Sequence, residues 1–247
     1  MYEDINALRD EVTRIAAELP PAILENYNAD FDITYSHEST AIEGNTLSLA
    51  ETKLLLEDGV SVGGKKLREI YEVVNHGRAF ARVRQLVHDG RPLDETTLKD
   101  LHALLMENIM PGGAYRAHGV RIVGASHRPP DAYELREQMA FYFADMPANR
   151  ERMHAVTFAA WTHAELVRIH PFADGNGRAS RMAMNYQLMA GGFLPISIKA
   201  ENQAAYYQAL DRYAVERDLA PFERQVYEHE KAALLDFVES YGRPYEE

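Results

Sequence analysis

The sequence predicts an all-α protein, one compact helical domain interrupted by a single small β element. Three observations lead there. Apolar residues recur at helical spacing through nearly all of the 247 residues. Helix start and stop signals divide that pattern at short intervals. Only Val120-Arg121-Ile122-Val123 has strand character, being rich in β-branched residues and followed by Gly124-Ala125 and then Pro129-Pro130.

Taken in order, helices are expected near 3–18, 22–42, 49–57, 66–88, 94–109, 131–145, 150–169, 176–190, 202–215 and 221–240. Pro20-Pro21 separates the first two, because the residue before a proline leaves the α region. Ser48-Leu49-Ala50-Glu51 is a capping box, in which serine and glutamate side chains satisfy free amides at a helix start. Asp58-Gly59, Asp89-Gly90 and Gly191-Gly192 are helix stops. The strand-like run and its return make a short hairpin. The last helix mixes charges such as Glu223 and Lys231 with Val226, Leu234 and Phe237, and reads as a packed peripheral helix.

Charge and composition exclude several classes. With 38 acids against 26 bases the net charge is −12, so a broad nucleic-acid surface is not expected. There is no cysteine, which removes disulfides, thiolate metal sites and a cysteine nucleophile. The acidic start Met1-Tyr2-Glu3-Asp4 does not resemble a signal peptide, and no apolar run reaches the ~18 residues of a membrane span. A soluble cytoplasmic protein is expected, with no membrane partner.

Chemistry concentrates between His170 and Arg181, in the run His-Pro-Phe-Ala-Asp-Gly-Asn-Gly-Arg-Ala-Ser-Arg. Pro171 stops one helix and another begins near Asn176. The amides at that second start face the intervening turn, where the helix dipole favours an anion. Gly175 and Gly177 allow close approach of a phosphate, and Asn176 offers a side-chain amide. Arg178 and Arg181 lie three apart on one helix face and together suit a polyphosphate. Asp174 is a hard oxygen ligand of the kind Mg²⁺ shares with phosphates. His170, on the other rim, is a candidate general base, its ordinary pKa being ~6.5. Singly, each has a bland reading: a helix-end cap, a turn residue, a solvated arginine face. An ordered turn holding all of them is a site for phosphoryl-type transfer. Two known nucleotide motifs, the P-loop and the dinucleotide fingerprint, are not matched. Gly59 to Lys66 puts Lys66 where a P-loop needs Ser or Thr, and a helix rather than a strand precedes Gly175-Asn176-Gly177-Arg178.

The segment His170 to Arg181 resembles the Fic motif, H-x-F-x-[DE]-G-N-G-R-x-x-R, at every defined position. The resemblance covers roughly residues 30 to 215 and implies a Fic fold, with the chain 1–247 read as one such domain, and transfer of AMP from ATP, with Mg²⁺, to a Ser, Thr or Tyr hydroxyl of a protein. By that analogy His170 takes the hydroxyl proton and Asp174 holds the metal. Gly175, Asn176 and Gly177 form the anion hole, and Arg178 and Arg181 orient phosphates. Upstream, Ser39-Thr40-Ala41-Ile42-Glu43-Gly44 resembles the family's inhibitory motif, [ST]-x-x-x-E-[GN], on an N-terminal helix at about 22–45. The implied role of Glu43 is a buried bidentate pair with Arg181 that prevents productive ATP binding. The competing reading is a helix C-cap with Gly44 or Asn45 left-handed.

The hairpin resembles the family's flap, so an unidentified target protein is expected to dock at 119–130 by adding backbone hydrogen bonds. Tyr206 and Tyr207 lie where the family places a tyrosine beside the base. Regulation by a homo-oligomer and modification of the chain's own 14 tyrosines are both compatible with the resemblance. Relatives of the Doc toxin type are kinases, but they replace the pair that stands here as Gly177-Arg178, which favours AMP transfer. Removal of AMP, transfer from another donor, and a non-catalytic nucleotide-binding regulator are the alternatives.

Overall fold

The computed structural model describes residues 2–61 and 63–242. Ten α-helices account for most of them: α1 (Glu3–Glu18), α2 (Pro21–Ala41), α3 (Leu49–Asp58), α4 (Leu67–His88), α5 (Glu95–Met106), α6 (Leu135–Arg152), α7 (Ala155–Ile169), α8 (Asn176–Ala190), α9 (Gln203–Glu216) and α10 (Ala220–Tyr241), with one 3₁₀ turn at Ala200–Asn202. None of the helices is long and apolar enough to cross a membrane.

The centre of the fold is the pair α7–α8, which pack on each other more extensively than any other two elements. Both are buried on nearly all sides, so the amphipathic stripe of a surface helix is missing. Helices α2, α4 and α5 cover α8, while α6, α9 and α10 cover α7. Small residues, Ala179 and Ala183, let neighbours approach α8 closely. Some of its buried polar residues are given partners by the rest of the chain. Asn185 donates to the Ile196 carbonyl at 2.9 Å and accepts from the Ile196 amide at 2.9 Å, tying the extended stretch before α9 to the core.

The local signals hold where a side chain closes on its own backbone. The Ser48–Glu51 capping box is formed, and Gly59 stops α3 at φ 67°. Two boundaries differ from expectation. Helix α6 does not stop near 145 but runs through Pro147 to Arg152. The proline forfeits one helical hydrogen bond, yet buried Met146 and Asn149 hold the turn around it. The break falls instead at His154, whose Nδ1 accepts from the Val156 amide at 3.2 Å and caps α7. Helix α5 ends at Met106 rather than 109, with Asn108 left-handed at φ 60°.

The small β-hairpin is not formed; no strand occurs among the described residues. A turn does occur where it was expected, closed by the Ala125 amide on the Ile122 carbonyl at 3.3 Å with Gly124 at φ 82°. The returning arm, however, spends its amides elsewhere. Ser126 and His127 both donate to Oδ1 of Asp211 on α9, at 2.8 and 3.1 Å. The β-branched arm Val120–Val123 therefore has no ladder partner across the turn.

Candidate active site

The turn between α7 and α8 is built rigidly before any ligand arrives. His170 ends α7 in the left-handed region (φ 53°), a conformation that disfavours side chains and persists only when its surroundings impose it. Arg116 helps impose it: Nε donates to the His170 carbonyl at 2.8 Å and the Arg116 amide donates to the Pro171 carbonyl at 2.9 Å. Asn176 closes the turn from the other end, accepting from the Phe172 amide and donating to the Phe172 carbonyl, both at 2.9 Å. Phe172 is fully buried and stacks on His102, ring centroids 3.7 Å apart. The expected side-chain donor of Asn176 is thus spent on the loop and does not face an anion. Its backbone amide does: Ala179 makes the first helical bond of α8, to Gly175, so the amides of Asn176, Gly177 and Arg178 lie open at the helix start.

His170 carries a defined tautomer. Its Nδ1 lies 3.3 Å from the Val167 carbonyl, which can only accept, so Nδ1 bears the proton and Nε2 presents a lone pair. Burial pushes the imidazole pKa down to about 4; the Val167 bond opposes this and the Arg116 charge adds to it. The ring is therefore neutral at pH 7, more firmly so than an ordinary histidine.

Asp174 and Arg178 form the second part. The Asp174 Oδ1 accepts from the Gly175 amide at 2.6 Å, and its Oδ2 is paired with Arg68 of α4. Burial works against the charge, but Arg68 and Arg178 hold the carboxyl below its usual range. Arg178 is 2% exposed, lies 3.5 Å from Asp174 and 3.6 Å from Glu72, and keeps Nε and Nη1 without acceptors. Buried orphan donors beside open amides fit a polyanion. A metal fits only in its company. Among the described residues no group of three His, Asp or Glu can hold an ion, and Asp174 alone matches the one-carboxylate sites that Mg²⁺ completes with phosphate oxygens.

Arg181 is in a different state. It is 1% exposed and its donors are largely occupied: Nε on Ser39 Oγ at 2.8 Å, Nη1 on the Tyr206 hydroxyl at 3.2 Å, and Nη2 on the Ser39 carbonyl at 2.7 Å and Glu43 Oε1 at 2.8 Å. The expected Glu43–Arg181 pair is present, but through one carboxylate oxygen rather than two. The helix-cap reading holds at the same residues, with the Gly44 amide on the Ala41 carbonyl and Gly44 at φ 94°. A Cβ at Gly177 would collide with the Glu43 carboxylate, so glycine is what lets Glu43 reach across the start of α8. The two arginines do not act on one face: Arg178 turns to α4, Arg181 to α2 and α9.

A cavity of about 470 Å³ opens beside these groups, bounded by Glu43, His170, Gly177, Arg181, Tyr207 and the turn 122–125. Of the two tyrosines, Tyr206 is buried between Arg181 and His163, leaving the half-exposed Tyr207 as the ring that faces the cavity. Residues 92–188, which include the whole of this turn, match the Fic/DOC family. Those residues belong to that family. A protein adenylyltransferase Fic of Nematostella vectensis is 33% identical over 92% of this chain and 53% of the relative. A Fic domain containing signaling protein from Bacteroides thetaiotaomicron superposes with a TM-score of 0.88 at 25% identity, covering 97% of this chain and 98% of that one. Fic-1 from C. elegans superposes at 0.82 with 28% identity, covering 96% and 70%. The chain spans about half the length of the curated relatives it matches.

Around the Fic motif stand residues that the sequence did not single out. His102 accepts from the Gly113 amide at Nδ1 (2.9 Å), so its Nε2 proton goes to the Asp174 carbonyl, also at 2.9 Å. Glu72 and Arg68 face Arg178 and Asp174 from α4. Arg116, 5% exposed, binds the His170 carbonyl and both ends of the segment 118–130, donating to the carbonyls of His118 (2.8 Å) and Pro130 (2.6 Å). Arg116→Ala is expected to cost on the order of 3 kcal/mol by orphaning buried carbonyls. It should also expose 118–130 to protease, with Arg116→Lys recovering part of the loss. An unchanged unfolding midpoint and cleavage pattern would show that the clamp contributes nothing.

Proposed function

We propose that this chain is a protein adenylyltransferase, a single Fic domain that transfers AMP from ATP to a hydroxyl of a protein and is held inactive by Glu43. The observation that carries this reading is the placement of neutral His170 on the same cavity as the open amides of α8 and the carboxylate-bound Arg181. A polyphosphate laid on those amides meets Arg178 with free donors. Its far end needs Arg181, which Ser39 and Glu43 hold. Glu43 also puts a negative charge against Gly177, where phosphate must come. Mg²⁺, held by Asp174 and phosphate oxygens, would neutralise charge developing on the leaving pyrophosphate.

In this scheme the target hydroxyl approaches along 119–130, whose arm Val120–Val123 has backbone groups free to pair with an extended segment. His170 Nε2 receives the hydroxyl proton as the oxygen attacks the α-phosphorus. Tyr207, half-exposed on the cavity, would lie against the base. A second reading has an observation of its own. Glu43 uses a single oxygen on Arg181 and is part-exposed to the cavity, which leaves its other oxygen able to hold a water for removal of AMP.

The test compares α-³²P-ATP with γ-³²P-ATP. Wild type should be nearly silent, and Glu43→Gly should incorporate label from the α position alone. Label only from the γ position would mean a kinase, and ATP binding with no label in either protein would mean a binding function.

A further inference from the structure

The Fic motif gives Asp174 as a metal ligand, yet its carboxylate has no free oxygen. Oδ1 accepts from the Gly175 amide at 2.6 Å and lies 3.5 Å from Arg178. Oδ2, the side open to an incoming ion, is bonded to Nη2 of Arg68. Arg68 sits near the start of α4 with its side chain 54% exposed, and its Nε is anchored on Glu72 Oε1 at 3.0 Å. Glu72 is itself buried and fixed through Oε2 by Asn45 Nδ2 at 3.1 Å.

The charges in this cluster balance: Arg68 and Arg178 against Asp174 and Glu72. A divalent cation added alone would leave an excess of positive charge and would have to displace a guanidinium. A cation arriving with a polyphosphate brings its own negative charge, and then the displaced Arg68 faces no penalty. The geometry makes that displacement local. Arg68 is half exposed on a flexible stem, so its guanidinium can swing off Asp174 toward solvent while Glu72 stays fixed by Asn45.

We infer that Arg68 is a stand-in cation on Asp174, so that divalent metal binds by exchange with the guanidinium and only together with the nucleotide. The inference rests on the nucleotide-binding reading above. Arg68 is then a positioning residue that sets how strongly metal and ATP depend on each other, separate from the Glu43–Arg181 contact.

The test measures binding rather than turnover. In the Glu43→Gly background, the dissociation constant of α,β-methylene-ATP is taken by calorimetry in EDTA and in saturating MgCl₂. The ratio of the two is the metal's contribution to nucleotide affinity. Arg68→Ala should raise that ratio about three- to tenfold, as expected from removing a half-exposed competitor. It should do so by weakening binding in EDTA, where Asp174 is left uncompensated against phosphate, while binding in magnesium holds or tightens. Arg68→Lys, which keeps the charge, should stay near the parent ratio. A ratio unchanged in Arg68→Ala would overturn the inference, as would an equal loss of affinity under both conditions, the mark of a phosphate contact. If Glu43→Gly binds no nucleotide in either buffer, the nucleotide reading falls and this inference with it.

Discussion

In the Glu43→Gly background, His170→Ala should lower AMP transfer by about 10²–10⁴-fold while leaving ATP affinity within about threefold of the parent. The split follows from what each part of His170 touches. Its main chain is what the loop uses: Arg116 holds the carbonyl, and the backbone amide continues the last turn of α7 to Leu166. Alanine keeps both. The ring makes one bond within the protein, from Nδ1 to Val167, and otherwise faces the cavity with Nε2. On the proposed reading, removing it takes away the base and leaves the amides of α8 and Arg178 in place for phosphate. Because burial holds the ring near pKa 4, the rate should stay level through neutrality and fall on the acid side only below about pH 5, rather than near the ~6.5 of a free imidazole. Transfer retained within tenfold, or ATP affinity lost in parallel with transfer, would mean that His170 shapes the loop instead of taking a proton.

What the sequence made legible was whatever lies close along the chain. The Ser48–Glu51 box, the Gly59 stop and the turn from His170 to Arg181 are all set by neighbours a few residues away. The Glu43–Arg181 pair spans 138 positions and was reached only through a motif resemblance. Residues without such a motif stayed hidden. Arg116 and His102 look like ordinary loop and helix residues until the fold brings them 54 and 72 positions along the chain to the turn between α7 and α8. Arg68 was invisible for the same reason, since nothing in an exposed α4 arginine announces Asp174 as its partner. Asn176 shows the opposite failure: its chemistry suited an anion, but Phe172 claimed both ends of the amide first. The hairpin failed on competition too. Val120–Val123 has the propensity of a strand, and a strand needs a ladder partner that Asp211 had already taken from it.

Acid should unfold this protein early, and histidines rather than carboxylates should be the cause. Burial holds His76 and His163 well below their ordinary pKa, each further opposed by the Arg181 charge, and holds His102 and His170 at about 4. In the unfolded chain all four titrate near 6.5. Their contribution to stability is therefore complete above pH 6.5 and is lost as the pH falls, because only the unfolded state takes up protons there. Each is worth about 1.4 kcal/mol per pH unit through that window. Glu230 works the other way: buried with one bond, to the Leu194 amide, its pKa is raised well above 4.5, so the fold retains a proton the unfolded chain gives up. It opposes the histidines in part. The histidines outnumber it, so the net effect is a loss of stability on the acid side, set against only about 5–15 kcal/mol that holds a typical domain together. Urea midpoints taken from pH 7.5 to 4.5 should drop steeply below 6.5. The cause lies at the site itself. Arg181 is charged and buried, and it is reached on one side through Tyr206 by His163 and on the other through the α2 turn that carries Ser36 and Ser39 by His76. Neither imidazole can take a proton without setting two positive charges side by side in the core. His163→Gln should therefore remove about 1.4 kcal/mol per pH unit from the slope even while lowering stability at pH 7. A midpoint that stays flat from pH 7 to 5.5, or ring resonances of His76 and His163 that titrate near 6.5 in the folded protein, would show that the buried arginine imposes no such constraint.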